Sequence, residues 1–133
     1  MTRRVRWLSA AVVLVLTAWA GYWWLATHAL REALTGCNSE VLREVTSPDG
    51  KQTATVFERN CGATSPVVRI VSLRPVATDF DGDDTETWIF AIEGPSAIRA
   101  TWQGGDRLTL KFSGSWPVLR QATMGSGVAI SYE

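Results

Sequence analysis

The hydrophobic positions of this chain follow two different rules. From Trp7 to Ala26, twenty residues run without a charge. At about 1.5 Å per residue a helix of that length reaches roughly 30 Å, the thickness of a bilayer core. Its polar groups include the hydroxyls of Ser9 and Thr17, which can bond back to the helix backbone. Trp7 stands at one end and Tyr22, Trp23 and Trp24 crowd the other, as amphipathic rings do at membrane interfaces. The pattern predicts one transmembrane helix over residues 7–26. Residues 27–36 form its juxtamembrane end, with Ala29 to Leu34 prolonging the helix and Gly36 capping it.

From Cys37 onward the period shortens to two, the signature of half-buried strands. Val41 to Thr46 predicts a strand, Ser47-Pro48-Asp49-Gly50 a turn, and Lys51 to Arg59 the returning strand of a hairpin. Asn60 to Pro66 reads as a loop and Val67 to Leu73 as a third strand. A long polar loop, Arg74 to Thr85, precedes a fourth strand from Glu86 to Ile92, and Gly94-Pro95-Ser96 turns the chain again. Ile98, Ala100 and Trp102 then alternate with Arg99, Thr101 and Gln103, Gly104-Gly105-Asp106 turns, and Leu108, Leu110 and Phe112 alternate with Thr109, Lys111 and Ser113. This hairpin has one apolar and one wet face. A glycine-rich stretch from Gly125 to Gly127 leads to a last strand in which Val128, Ile130 and Tyr132 share a face. About seven short strands and no amphipathic helix predict a mainly β fold over residues 37–133, a small antiparallel sandwich or open barrel.

Charge fixes the expected orientation. Arg3, Arg4 and Arg6 precede the apolar segment, while Arg31 with Glu32 beside it follows. The positive-inside bias puts residues 1–6 in the cytoplasm and the β domain outside, in a periplasmic or extracellular compartment. Three fates of the segment compete. The leading one is an uncleaved signal anchor. The second is a cleaved signal peptide, for which Thr27-His28-Ala29 offers a site, against the long apolar run and the bulky Trp23-Trp24 pair. The third is a lipoprotein acylated at Cys37, since Leu34-Thr35-Gly36-Cys37 resembles a lipobox, against Arg31 and Glu32 just before it. No GxxxG helix-pairing signature occurs in residues 7–26.

From Thr35 to Glu133 there are nine Arg or Lys against twelve Asp or Glu, and no basic run interleaves with aromatics, so nucleic acid is not expected as a partner. Cys37 and Cys61 are the chain's two cysteines. An even count in an exported domain reads as a disulfide, worth roughly 3 kcal/mol for a loop of that length. The other use of a cysteine, as a nucleophile, lacks a base: the sole histidine, His28, lies at the membrane edge. The same lack removes a catalytic triad, and no enzyme is expected.

Two further stretches and a tryptophan carry candidate chemistry. Asp79, Asp81, Asp83, Asp84 and Glu86 place five carboxylates within eight residues, an oxygen-rich set suited to Ca²⁺. Glycine falls fourth rather than sixth and Phe90 stands where an EF-hand needs its bidentate Glu, so the bland reading is a solvated acidic loop. Arg59, Gly62 and Thr64 form a second candidate, an anion-binding turn, against a disulfide-pinned turn with Gly62 at positive φ. Trp88 and Trp102 fall on apolar strand faces, while Trp116, before Pro117, is the candidate for an exposed binding contact.

The run Cys37-Asn-Ser-Glu-Val-Leu-Arg-Glu-Val-Thr-Ser-Pro-Asp-Gly50, followed by Ala54-Thr-Val-Phe-Glu-Arg-Asn-Cys-Gly-Ala-Thr64 and Val68-Arg-Ile-Val-Ser-Leu73, resembles a group of small bacterial envelope proteins. They share an N-terminal anchor or signal, a Cys, a Ser-Pro-Asp-Gly turn and a Val-Phe-x-Arg-x-Cys-Gly-Ala-Thr segment. The resemblance implies an envelope location, supports the Cys37–Cys61 pairing and implies no reaction. It does not extend over residues 79–86 or 114–123. The expected function is a membrane-anchored extracytoplasmic accessory or binding module of a bacterial envelope, touching the bilayer through its helix and an unidentified envelope protein or ligand through its domain. The alternative is a Ca²⁺- or carboxylate-dependent domain using the Asp79 to Glu86 loop.

Overall fold

A computed structural model describes residues 3–133, so Met1 and Thr2 of the expected cytoplasmic segment lie outside the described residues. The chain divides into two units, Met1–Gly36 and Cys37–Glu133. The first is one helix, α1 (Arg3–Thr35). Its stretch Trp7–Arg31, with mean hydropathy 1.6, is long and apolar enough to cross a membrane. Apolar side chains project on every side and stay exposed, from Trp7 through Leu14 to Trp24. A helix apolar all round needs an apolar surrounding rather than a single buried face. The Thr17 hydroxyl bonds back to the helix as expected, donating to the Leu14 carbonyl at 3.0 Å, and Thr27 donates to that of Trp23 at 2.9 Å.

The second unit is a mainly β fold of two packed sheets. The first holds β1 (Asn38–Thr46), β2 (Gln52–Asn60), β3 (Val68–Pro75), β4 (Trp88–Glu93) and β7 (Val118–Gln121), in the order β1-β2-β3-β4-β7. The second holds β5 (Ile98–Trp102), β6 (Arg107–Phe112), β8 (Met124–Gly125) and β9 (Val128–Tyr132), in the order β5-β6-β9-β8. Between the sheets lies a core of alternating side chains, among them Val56, Val71, Leu73, Phe90 and Ile92 from the first sheet and Leu108, Leu110 and Ile130 from the second. Phe90 packs on Phe112 and Tyr132 with ring centroids 4.8 and 5.6 Å apart. Trp102 reaches across to donate its indole N–H to the Val45 carbonyl at 2.9 Å.

The disulfide follows from register. Asn38 pairs with Asn60 at the open end of the β1–β2 hairpin, which sets the flanking residues Cys37 and Cys61 side by side, and they are bonded. At the other end Ser47 and Asp49 shape the turn, with the Asp49 carboxylate accepting from the Ser47 hydroxyl and the Lys51 N–H. These two bonds, in that order, hold the Asp49 pKa below the usual carboxylate value.

Three features depart from the strand pattern. β7 adds a strand to the first sheet from a stretch with no alternation, because all four of its residues are exposed. The glycine-rich stretch is itself a hairpin: Ser126 and Gly127, both at positive φ, join β8 to β9 in a two-residue turn. And the second sheet is mixed rather than purely antiparallel, since β9 runs parallel to β6. The chain between them passes through β7 in the other sheet, and that excursion gives it the length a parallel return requires.

Candidate functional site

The connection between β3 and β4 decides what the first sheet offers to the outside. Residues 76–87 fold across its outer face as a strap. Phe80 packs edge-on against Phe57, centroids 5.0 Å apart, and joins a second small cluster of Phe57, Ile70 and Ala91 with Trp88. The strands beneath are therefore buried on both faces, which is why β2 and β3 read as nearly continuous buried runs.

Arg59 fastens the strap. Its Nη1 donates to the Gly82 carbonyl at 3.0 Å and to the Asp83 carboxylate, and its guanidinium lies 5.6 Å from the Trp88 ring centre. Two candidate stretches separated by more than twenty residues thus meet through Arg59 and Asp83. A glycine is required at position 82: a Cβ there would come 2.4 Å from the Ser39 hydroxyl. On the far side of the strap Arg120 donates to the Thr85 carbonyl at 3.1 Å.

The acidic residues of the strap remain exposed while Phe80 between them turns inward. Asp81 accepts the Asp83 N–H at 2.8 Å, and Asp84 accepts the Glu86 N–H at 3.2 Å as the cap of a 3-10 turn, Thr85–Thr87. Asp83 faces Arg59, whereas Asp79, Asp81 and Asp84 border a different space. Among the described residues, no three acidic, cysteine or histidine side chains come together in a way that could hold a metal ion.

Gly62 takes φ +110° in a turn closed by a bond from the Ser65 N–H to its own carbonyl, and its N–H is taken by the Asn60 side chain at 3.0 Å. Thr64 lies exposed in that turn. The Arg59 guanidinium points to the strap, so Arg59 is not gathered with Gly62 and Thr64. Trp116 is 50% exposed, with one face against Gly94, where an added Cβ would come 2.5 Å from the indole.

Sequence reasoning passed over Ser72 and Arg74. Both lie on the outer face of β3, and with Asp79, Asp81 and Asp84 they line a cavity of about 190 Å³ beneath the strap. Arg74 donates to the Thr78 carbonyl and to the Glu44 carboxylate, both at 2.6 Å, and Glu44 also takes the Thr55 hydroxyl. The Arg74 Nε and the Ser72 Oγ, both buried, have no partner. A space of this size is ample for water or a small polar molecule. The signal in the sequence was two polar residues alternating with apolar ones in a strand otherwise fit for full burial. Comparison with protein-family models, curated proteins and solved structures finds no match to this chain.

Proposed function

We propose that this chain is a membrane-anchored, extracytoplasmic accessory or binding module of a bacterial cell envelope. The observation that carries the reading is the direct junction of two features: an exposed helix of membrane-spanning length and, two residues beyond its end at Thr35, the disulfide-bonded Cys37. An intact disulfide fits an oxidising compartment. Arg3, Arg4 and Arg6 ahead of the apolar stretch of the helix favour an orientation with the β unit on the far side. The likeness of the Cys37 to Gly50 and Val56 to Thr64 runs to small envelope proteins supports the same assignment.

Intact mass of the protein extracted from membranes, with and without reductant, tests it. The expected result is a full-length chain whose mass rises by about 2 Da on reduction. A chain lacking residues 1–36 and carrying acyl groups would overturn the anchor and make Cys37 a lipid site.

A further inference from the structure

The β unit carries nine Arg or Lys, and six of them form a contrast. Arg59, Arg69 and Arg74 are each paired with an acid: Asp83, Glu58 and Glu44. Arg43, Arg99 and Lys111 are not; among the described residues none of the three has an acidic partner. They nevertheless come together. Arg99 and Lys111 sit directly opposite each other across the β5–β6 ladder, a placement in which like charges are destabilising. Arg43 joins them from the other sheet. The β1–β2 register slips between Val41 and Arg43, a bulge that brings Arg43 opposite Val56, a core residue, rather than continuing the outward set. Bulges of this kind re-aim a side chain.

The three cations border a cleft of about 400 Å³ at the open edge of the sandwich between β1 and β5, where Ile98 and Phe112 form an apolar wall beside Ala97 and Ser113. A unit with more acids than bases concentrates three unpaired positive charges beside an apolar surface. We propose that this cleft binds the headgroup of an anionic phospholipid, the phosphate meeting Arg43, Arg99 and Lys111 and the glycerol and first methylenes lying on Ile98 and Phe112. Guanidinium and ammonium groups suit a phosphate oxygen shell. The apolar wall distinguishes a lipid from a free anion, which would leave that wall against water. A ligand of this charge also relieves the Arg99–Lys111 repulsion. The lipid source rests on the membrane-anchored reading; the chemistry of the cleft does not.

The test is native mass spectrometry of the full chain in dodecyl maltoside, titrated with phosphatidylglycerol, with phosphatidylcholine and with inorganic phosphate. Wild type is expected to retain phosphatidylglycerol over phosphatidylcholine, and millimolar phosphate is expected not to displace it. Each of Arg43→Gln, Arg99→Gln and Lys111→Gln should weaken retention about five-fold, with lipid held by the helix as the unchanged background. The Arg99→Gln/Lys111→Gln variant should melt no lower than wild type, which separates loss of binding from loss of fold. Equal retention of the two lipids, or undiminished retention in the Arg99→Gln/Lys111→Gln variant, overturns the proposal. Displacement by inorganic phosphate would make the cleft a site for free anions and overturn the lipid assignment. None of these outcomes bears on whether residues 1–36 are kept, which the intact mass decides.

Discussion

Arg59 shows how one side chain can hold a long connection in place. Its exposed partner Asp83 contributes little alone, because surface ion pairs are screened and flexible. The bond to the Gly82 carbonyl and the contact with the Trp88 ring are better sheltered. Arg59→Ala is therefore expected to cost about 1–2 kcal/mol in denaturant unfolding, and Asp83→Asn much less. Gly82→Ala should also loosen the strap, seen as faster amide exchange over residues 78–87, because the Ser39 hydroxyl stands where the new methyl would go. Tyr132 sets a limit at high pH. Burial raises its pKa above the usual 10.0, and its hydroxyl donates to the Ala122 carbonyl. The neutral phenol is the form the fold favours, so its contribution is complete below pH 10 and is lost as pH rises through the raised value. Tyr132→Phe should cost about 1 kcal/mol at neutral pH and flatten the alkaline fall in stability.

At the scale of elements, the β1–β2 hairpin is closed at both ends, by the Ser47–Asp49 turn and by the Cys37–Cys61 bond. Replacing both cysteines by serine is expected to lower stability by about 3 kcal/mol, or a melting temperature lower by on the order of 15 °C for a domain of this size. β7 is an exposed edge strand carrying Val118 and Leu119. Leu119→Lys should leave the melting temperature within a degree or two and reduce self-association in detergent-free fragments or at high concentration, since charges blunt strand edges. The elements differ in how legible they were. The helix, the first hairpin and the β5–β6 hairpin announce themselves, through a long uncharged run, a strong Ser-Pro-Asp-Gly turn and a strict alternation in that order. β7 does not, because a strand exposed on both faces leaves no pattern in Val118, Leu119, Arg120 and Gln121. The sequence of the strap predicts a polar loop, which describes its carboxylates. Phe80, the residue that docks it, is a lone aromatic with no period around it. Arg59 and Asp83 each stand out in the sequence, yet their meeting depends on where the strap crosses the sheet, and no local pattern encodes that.

At the scale of the whole chain, the two units obey different solvents. The helix leaves its apolar side chains bare, while the β unit gathers its own between two sheets. Exchanging Arg3, Arg4 and Arg6 for Glu should weaken or reverse the insertion preference of the helix, read by protease protection of the β unit in sealed vesicles. The parallel β6–β9 pair also has meaning at this scale. The second sheet is complete only when β9 has been placed between β6 and β8, whereas β1 to β4 form an unbroken meander of sequential neighbours.

The same disulfide also governs how load would travel. A pull arriving along the helix reaches the β unit at Cys37, at the free end of edge strand β1. Without a cross-link, β1 would peel from β2 one rung at a time. The bond to Cys61 shunts the force to the end of β2 as well, so the two strands must yield together. It also withholds a 24-residue separation from extension, so a stretched oxidised chain should run short of a reduced one by about 80 Å.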